Sequence, residues 1–381
     1  MKNISLNVAV AIASIIITLI LVEIGLHIID IPKYSTYAGS FRRADQTYHH
    51  ALIPNTTAKV RTEEFDVIER VNNVGLRNRD INLTKAKYRI LMLGDSFTEG
   101  SGVNAEDTIS QQLENILIEK GYDIEVLNAG IASYSPILEY LYLKKDGIKL
   151  NPDIIILNLD ISDLRDDYNY EKISIKDDEG EIIAVPESQT TEIWTGPEYC
   201  SKISSNLCVL AWRFLWNIDD AIKRSHKNYA NEGDITTDRY FITRFNLTKE
   251  KTEPHYSRTF TYVKKIQDFL KGRNINFILV TYPYGHQVNE NEWKDGRKRY
   301  NLDEYPVYSQ EFFDEVWNFS ESNGIYFINT YYKFEGSNEF PLFYKSDIHM
   351  TKAGYKLVAE GIFEQMFLND EVKNSVLQTA G

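Results

Sequence analysis

The first strong pattern along the chain is an apolar one. Leu6 to Val22 is interrupted only by Asn7, Ser14 and Thr18, and a weaker continuation follows as Glu23-Ile24-Gly25-Leu26-His27-Ile28-Ile29. A helix over this stretch is long enough to cross a bilayer, which takes about 20 residues. A secretory signal would have an apolar region of about 7–15 residues closed by a small-residue cleavage site. This run is longer and no Ala-x-Ala-like site closes it. It reads as an uncleaved anchor over residues 1–30, touching the membrane through residues 4–29. Lys2 and the terminal amine precede it, so the short N-terminus is expected in the cytoplasm and the rest of the chain outside, in a single-pass arrangement. Glu23 and His27 stand one helical turn apart and could pair at the outer membrane boundary.

Residues 31–85 are mixed and polar, with Pro32, Pro54 and a β-like stretch at Asp66 to Val71. This segment reads as a stalk and lead-in that packs against a main domain over 86–370. From Tyr88 strands alternate with helices. Tyr88 to Leu93, Asp123 to Leu127, Asp153 to Leu159, Asn276 to Thr281 and Ile325 to Ile328 are apolar runs of strand length. Between them, Ile109, Leu113, Ile116 and Leu117 have helical spacing over Thr108 to Lys120. Ser135-Pro136 is a helix start, a capping residue followed by proline at the first position. Further helices are predicted at Tyr262 to Lys271, Ser309 to Ser322 and Thr351 to Phe367. Five strands with intervening helices imply an α/β fold, a flavodoxin-like three-layer α/β/α arrangement with an open parallel sheet covered on both faces. In such sheets, sites form at the carboxyl ends of the strands. The rhythm breaks from 165 to about 255, which reads as an insertion, and residues 371–381 as a C-terminal tail.

Composition changes this picture little. Hydrophobic residues at 43% and charged residues at 25% are ordinary for a globular chain. Net charge is −13 with no Lys/Arg-rich stripe, which argues against nucleic acid as a partner. The 25 Tyr and 18 Phe suit both sugar-ring stacking and ordinary core packing. Cys200 and Cys208, eight positions apart, could close a disulfide loop outside the cytoplasm or remain reduced and buried. The histidines are scattered, with His49-His50 in a polar stretch, and no metal-ligand cluster emerges. No organic cofactor is implied.

The candidate chemistry lies in two places. Gly94-Asp95-Ser96-Phe97-Thr98-Glu99-Gly100 directly follows the first strand. A serine at a strand-to-helix turn has its hydroxyl raised into the crevice, with backbone N–H groups available to a developing oxyanion. It needs a base. His349, in Ser346-Asp347-Ile348-His349-Met350-Thr351, lies after the fifth strand and before the last helix, on a loop that can return to the same sheet edge. Asp347 can reach the other imidazole nitrogen, giving a Ser-His-Asp arrangement. Gly-Asp-Ser alone is also a common turn and Asp-x-His a capping sequence. Their joint order with Asn128-Ala129-Gly130 and an Asp-containing turn after the third strand is harder to explain that way. Two weaker stretches open on the same edge. Tyr282, Tyr284 and Gln287 form either a substrate wall or a tightly packed aromatic loop. Asp160, Asp163, Asp166 and Asp167 form either a cation or substrate site or a solvated, helix-capping acidic turn.

Over roughly residues 70–165 and 256–367 these motifs resemble the SGNH hydrolases, also called GDSL esterases and lipases. The resemblance implies Ser96 as nucleophile, His349 as base with Asp347 as its acid, and Gly130 as an oxyanion N–H donor. It also implies a third-block donor at Ser162, where the family has Asn within Gly-x-Asn-Asp and this chain reads Asp160-Ile161-Ser162-Asp163. Loss of one oxyanion donor typically costs about 3 kcal/mol, on the order of a hundredfold in rate. The second departure is Asp-x-His in place of the commoner Asp-x-x-His, a spacing similar to that of SGNH-like polysaccharide O-acetyltransferases. The expected chemistry is ester hydrolysis or acyl transfer on an acylated envelope or exported polysaccharide. Asp163, Tyr282, Tyr284 and Gln287 are the candidate substrate contacts. The alternatives are a lipase or thioesterase on membrane-derived acyl chains, and an inactive polysaccharide-binding or assembly protein with the same fold.

Overall fold

The computed structural model describes residues 2–29, 41–84, 88–187, 200, 205–225, 235, 240–243, 248–300, 302, 309–368 and 373–374. The stalk over 31–40 and most of the expected tail lie outside these. Two compact units emerge, one of Met1–Ser40, Lys59–Asp66 and Gln189–Asn228, the other of Phe41–Ala58, Val67–Ser188 and Tyr229–Gly381.

The second unit is built on five parallel strands: β1 (Tyr88–Leu93), β2 (Ile124–Asn128), β3 (Ile154–Asn158), β4 (Asn276–Thr281) and β5 (Tyr326–Asn329). Their spatial order is β5-β4-β3-β1-β2, the flavodoxin-like order read from its other edge. Ile90 pairs with Ile154 and Leu93 with Leu157, so the centre of the sheet is aliphatic in both directions. Every residue of β1, β2 and β3 is buried. That is why these strands read as continuous apolar runs: helices cover both faces, leaving no solvent side to alternate toward.

The helices of this unit include α2 (Ser96–Glu99), α3 (Ile109–Glu119), α4 (Pro136–Lys145), α5 (Asp163–Ile173), α7 (Lys249–Leu270), α8 (Glu311–Asn323) and α9 (Lys352–Leu368). The first unit contributes α1 (Lys2–Ile28) and α6 (Asn206–Ser225). α3 packs against α9, while α4, α5 and α7 pack together. Right-handed crossovers put these two groups on opposite faces of the sheet. Thr108 caps α3 through Gln111 N, and Ile109, Leu113 and Leu117 form its buried stripe. α7 starts at Lys249, well before the Tyr262 expected from the sequence. Its early buried face is carried by Thr252, Tyr256 and Thr259, which do not register as an apolar stripe. The rest of the expected insertion supplies α5, a small hairpin (Ile175–Lys176 with Ile182–Ala184) and a 3₁₀ turn at Phe241–Thr243.

The lead-in forms an antiparallel pair, Arg42–Ala44 with His50–Leu52, and the expected strand appears at Asp66–Arg70. His50 therefore belongs to a strand rather than a polar loop.

In the first unit, Asn7–Ile28 of α1 is long and apolar enough to cross a membrane by length and composition. Most of its bulky apolar side chains from Val8 to Ile28 are exposed, Leu26 only partly. Cys200 and Cys208 are joined as a disulfide. Glu23 meets His27 at 3.1 Å, as its spacing suggested, but its carboxylate does more. It accepts from Asn206 N at 2.6 Å, Leu207 N at 2.9 Å and Ser205 Oγ at 3.0 Å, closing the open N-terminus of α6.

Arg89, on β1, is buried in the sheet core. Its Nε donates to Glu125 Oε1 of β2 at 2.7 Å, and its other nitrogens donate to the carbonyls of Asn82 and Leu150. Arg89→Met removes a buried cation and strands Glu125, so a loss of about 3–5 kcal/mol is expected. Urea denaturation checks it, and adding Glu125→Gln should recover part of the loss.

Candidate active site

The serine turn begins where β1 stops. Gly94 leaves the strand at φ +153°, and a Cβ there would lie 2.1 Å from Thr98 Oγ1. Asp95 caps the next turn by accepting from Phe97 N at 2.8 Å, and α2 carries Ser96 at its first position. α2 ends after four residues at Gly100, in the left-handed conformation. Arg77, buried in the lead-in, holds this end by donating to Glu99 O at 2.8 Å and to the carbonyls of Gly100 and Val103.

His349 arrives from the loop between β5 and α9. Its Nε2 lies 2.7 Å from Ser96 Oγ, across 253 positions of sequence. Its Nδ1 lies 2.5 Å from Asp347 Oδ1, and its own backbone N donates to that same oxygen at 2.9 Å. One carboxylate thus fixes the imidazole through the ring and through the chain, directing the unprotonated Nε2 at the serine hydroxyl. Phe97 packs beside the ring at 5.0 Å between centroids. The three groups expected to act together are in hydrogen-bond contact.

The two expected oxyanion donors are engaged internally. Gly130 N donates to Asn128 Oδ1 at 3.0 Å. Ser162 places both its N and its Oγ on Asp160 Oδ1, at 2.6 and 2.7 Å. Gly130 itself has no room for a side chain, since a Cβ would lie 2.2 Å from Glu99 N. That close approach sets the β2 loop against the serine turn.

The acidic residues after β3 are not a solvated turn. Asp160, Asp163 and Asp167 are all buried, and Asp167 accepts from Ser135 Oγ, Ile137 N and Thr259 Oγ1. Burial pushes Asp167 up to about 6. Burial, then the adjacent Asp160, pushes Asp95 well above the usual carboxylate range, and Asp163 rises for the same two reasons. This upward-shifted carboxyl stands beside Ser96, whose Oγ lies 3.3 Å from Asp95 Oδ2. A charged one would repel an oxyanion forming there.

Tyr282, Tyr284 and Gln287 are also buried, with Tyr284 stacked on Phe97 at 5.3 Å and Gln287 accepting from Tyr284 N. Of the two readings, the packed aromatic loop describes their position.

The lead-in holds residues that the sequence reading passed over. Glu99, fully buried, receives Arg42 Nη2 on both oxygens at 2.6 Å and Ala132 N at 2.6 Å. His50 Nε2 meets Ala132 O at 2.8 Å, and Tyr134 OH donates to His50 O at 2.5 Å. Arg42, His50 and Arg77 therefore clamp the two loops that form the site. The available signal was Glu99, a second carboxylate beside Asp95 inside the serine motif.

Sheet order, the serine turn and the Ser96–His349–Asp347 contacts define an open parallel α/β domain that resembles the SGNH/GDSL hydrolases. Residues 239–379 match the family model described as "SGNH hydrolase-like domain, acetyltransferase AlgX". That span includes Asp347 and His349 and leaves out Ser96. Similar solved structures include a catalytic mutant of Axe2, an acetylxylan esterase from Geobacillus stearothermophilus, at 13% identity over 74% of this chain and 94% of that one, TM-score 0.38. Others are a GDSL-like lipase from Bacteroides thetaiotaomicron, at 13% over 72% and 86%, TM-score 0.34, and TesA, at 9% over 73% and 98%, TM-score 0.38. Likenesses this distant do not bear on substrate. No curated protein sequence matches the chain.

Gly130→Ala is expected to push the β2 loop from the Ser96 turn. A displacement near 1 Å costs on the order of 10²-fold in turnover, read as kcat on a small acetyl ester. His50 gives a pH dependence. Burial holds it down at about 4, against about 6.5 in an unfolded chain. The unfolded state then binds the extra proton first, so His50's contribution to stability is whole above pH 6.5 and is lost as pH falls toward 4. The slope is at most ~1.4 kcal/mol per pH unit. Urea midpoints measured from pH 4 to 7 should show it, and His50→Gln, which still donates to Ala132 O, should flatten it.

Proposed function

We propose that the chain is a serine-dependent acyl-ester hydrolase or O-acyltransferase, held by α1 at the outer face of the cytoplasmic membrane. Its proposed substrate is an acylated envelope or exported polysaccharide. The observation that carries the enzyme reading is the chain of contacts from Ser96 Oγ to His349 Nε2 and from His349 Nδ1 to Asp347. An idle fold has no need to keep a hydroxyl, an imidazole and a carboxylate in this order and at these distances.

His349 takes the proton of Ser96 as Oγ attacks the acyl carbonyl carbon. The tetrahedral oxyanion faces the N–H of Ser96, and Gly130 N–H joins it by leaving Asn128 Oδ1. Ser162 contributes once its hydroxyl turns from Asp160. The intermediate collapses, the alcohol leaves with the proton from His349, and the acyl group stays on Ser96. Water or a sugar hydroxyl then gives its proton to His349 as it attacks the acyl carbon, and His349 returns that proton to Ser96 Oγ as the acyl–Oγ bond breaks. Asp347 balances the imidazolium in both halves.

The acetyltransferase in the matched family's description supports acetyl as the group carried. Retention of α1 is supported by Glu23, because the cap it gives α6 makes α1 part of the folded unit. A signal sequence, removed after export, would leave that helix end open. The positive charge at Lys2 supports the orientation with the N-terminus inside.

The test compares wild type with Ser96→Ala and His349→Ala on a small acetyl ester, with a fluorophosphonate probe in parallel. Both variants should lose at least 10³-fold in kcat/KM, and labelling should vanish in Ser96→Ala. Folded wild type that neither turns over nor labels would remove the serine-nucleophile reading. Labelled wild type that accelerates when acetylated oligosaccharide is paired with an unacetylated acceptor would favour transfer over hydrolysis.

A further inference from the structure

We propose that α6 is an interfacial helix, its apolar face lying in the headgroup boundary of the bilayer that α1 crosses. This rests on the retained-anchor reading above and adds to it a second, shallow contact with lipid.

The sequence of α6 is amphipathic. Leu207, Leu210, Phe214, Leu215, Ile218 and Ile222 recur at intervals of three, four, one, three and four, the stripe of a helix with one apolar face. Phe214, Leu215 and Ile218 on that stripe are 66%, 65% and 42% exposed. Bulky apolar neighbours left together on a surface mark a contact site.

What covers the stripe follows from where α6 is fastened. Its first residues are held by Glu23 of α1, and the two helices pack together within one unit. Glu23 stands five residues before Ile28, where the membrane-crossing stretch ends. At 1.5 Å per residue that is about 7–8 Å along the helix axis. Interfacial helices bury their apolar face about 5–10 Å into the headgroup and acyl boundary. The two depths coincide, so the start of α6 is pinned at the level at which its exposed stripe would meet lipid.

Glu23 makes this attachment tolerable. A carboxylate near the edge of the hydrocarbon is costly unless paired, and this one accepts from two backbone N–H groups and a hydroxyl and also meets His27. The Cys200–Cys208 bond closes the chain entering α6 into a short loop beside this junction.

The full-length chain, with its disulfide intact, is reconstituted in phosphatidylcholine–phosphatidylglycerol nanodiscs. Phe214→Cys and Ile218→Cys, each carrying a nitroxide, are compared with Leu19→Cys inside α1 and with free nitroxide in buffer. Collision rates with oxygen and with a water-soluble nickel chelate report depth. The proposal expects labels at 214 and 218 to favour oxygen several-fold over the buffer reference and to lie shallower than the label at 19. Labels at 214 and 218 that behave like free nitroxide while the label at 19 is in lipid would overturn the α6 proposal and leave the anchor standing. Labels shielded from both reagents would assign the face to a second copy or another protein, which also overturns it. A label at 19 that stays in water would remove the anchor reading and the proposal together.

Discussion

The site depends on one place where two backbones come too close for any side chain. Gly130, at the end of β2, lies against the Thr98–Glu99 peptide so tightly that a Cβ would be 2.2 Å from Glu99 N. Gly94 meets the same turn from the other side, with Thr98 Oγ1 where its Cβ would be. Because neither position carries a side chain, α2 is clasped between the ends of β1 and β2, and Ser96 is held at the sheet edge. The glycines here serve close approach first and conformational freedom second. A hydroxyl fixed this way meets the returning loop at His349 Nε2, the contact on which the proposed nucleophile role rests.

The second constraint is charge. Glu99, Asp95, Asp160 and Asp163 are all buried around the serine turn, an arrangement that would oppose an oxyanion if every carboxyl were ionised. Two different devices prevent that. Glu99 is matched by the Arg42 guanidinium and by Ala132 N. Asp95 and Asp163 are pushed upward by burial and by Asp160, so the neutral acid is the form that suits them. The lead-in is thus part of the site rather than a spacer before it: Arg42 neutralises the turn, Arg77 ties its carbonyls and His50 braces the loop after β2.

The sheet was legible because it is parallel and covered on both faces, so each strand is an apolar run that composition alone reveals. The contact of Ser96 with His349 and Asp347 could be anticipated because a serine at a strand end calls for an imidazole and a carboxylate on a loop returning to that edge. The clamp by Arg42, His50 and Arg77 was not, since an arginine that donates to a distant carbonyl looks like any surface arginine. Tyr282, Tyr284 and Gln287 show the converse. Polar and aromatic residues at the correct edge invite a substrate role, yet Tyr282 and Tyr284 pack against Phe97 and Gln287 is buried with its amide on Tyr284 N and Ser309 O. The burial of Asp160 and Asp163 was hidden for the same reason, because local sequence records polarity and not depth. The early start of α7 escaped notice because threonine and tyrosine fill its buried face.

Hydrolysis and transfer share the first half of the proposed reaction, and nothing in Ser96, His349 or Asp347 favours one acceptor. The same Nε2 that frees the serine hydroxyl can take a proton from water or from a sugar. The outcome then depends on which hydroxyl reaches acyl-Ser96 first. A chain fixed to the membrane by α1, and steadied there by α6 in the reading given above, would meet a polymer emerging at that surface at a local concentration far above its average. Tethering acts on such a competition without any new contact in the site, because it raises effective concentration rather than affinity. In the proposed reading the anchor and the acyl-enzyme are parts of one kinetic argument: a tether would favour a sugar acceptor, and the proposed Ser-His-Asp chemistry would accept it.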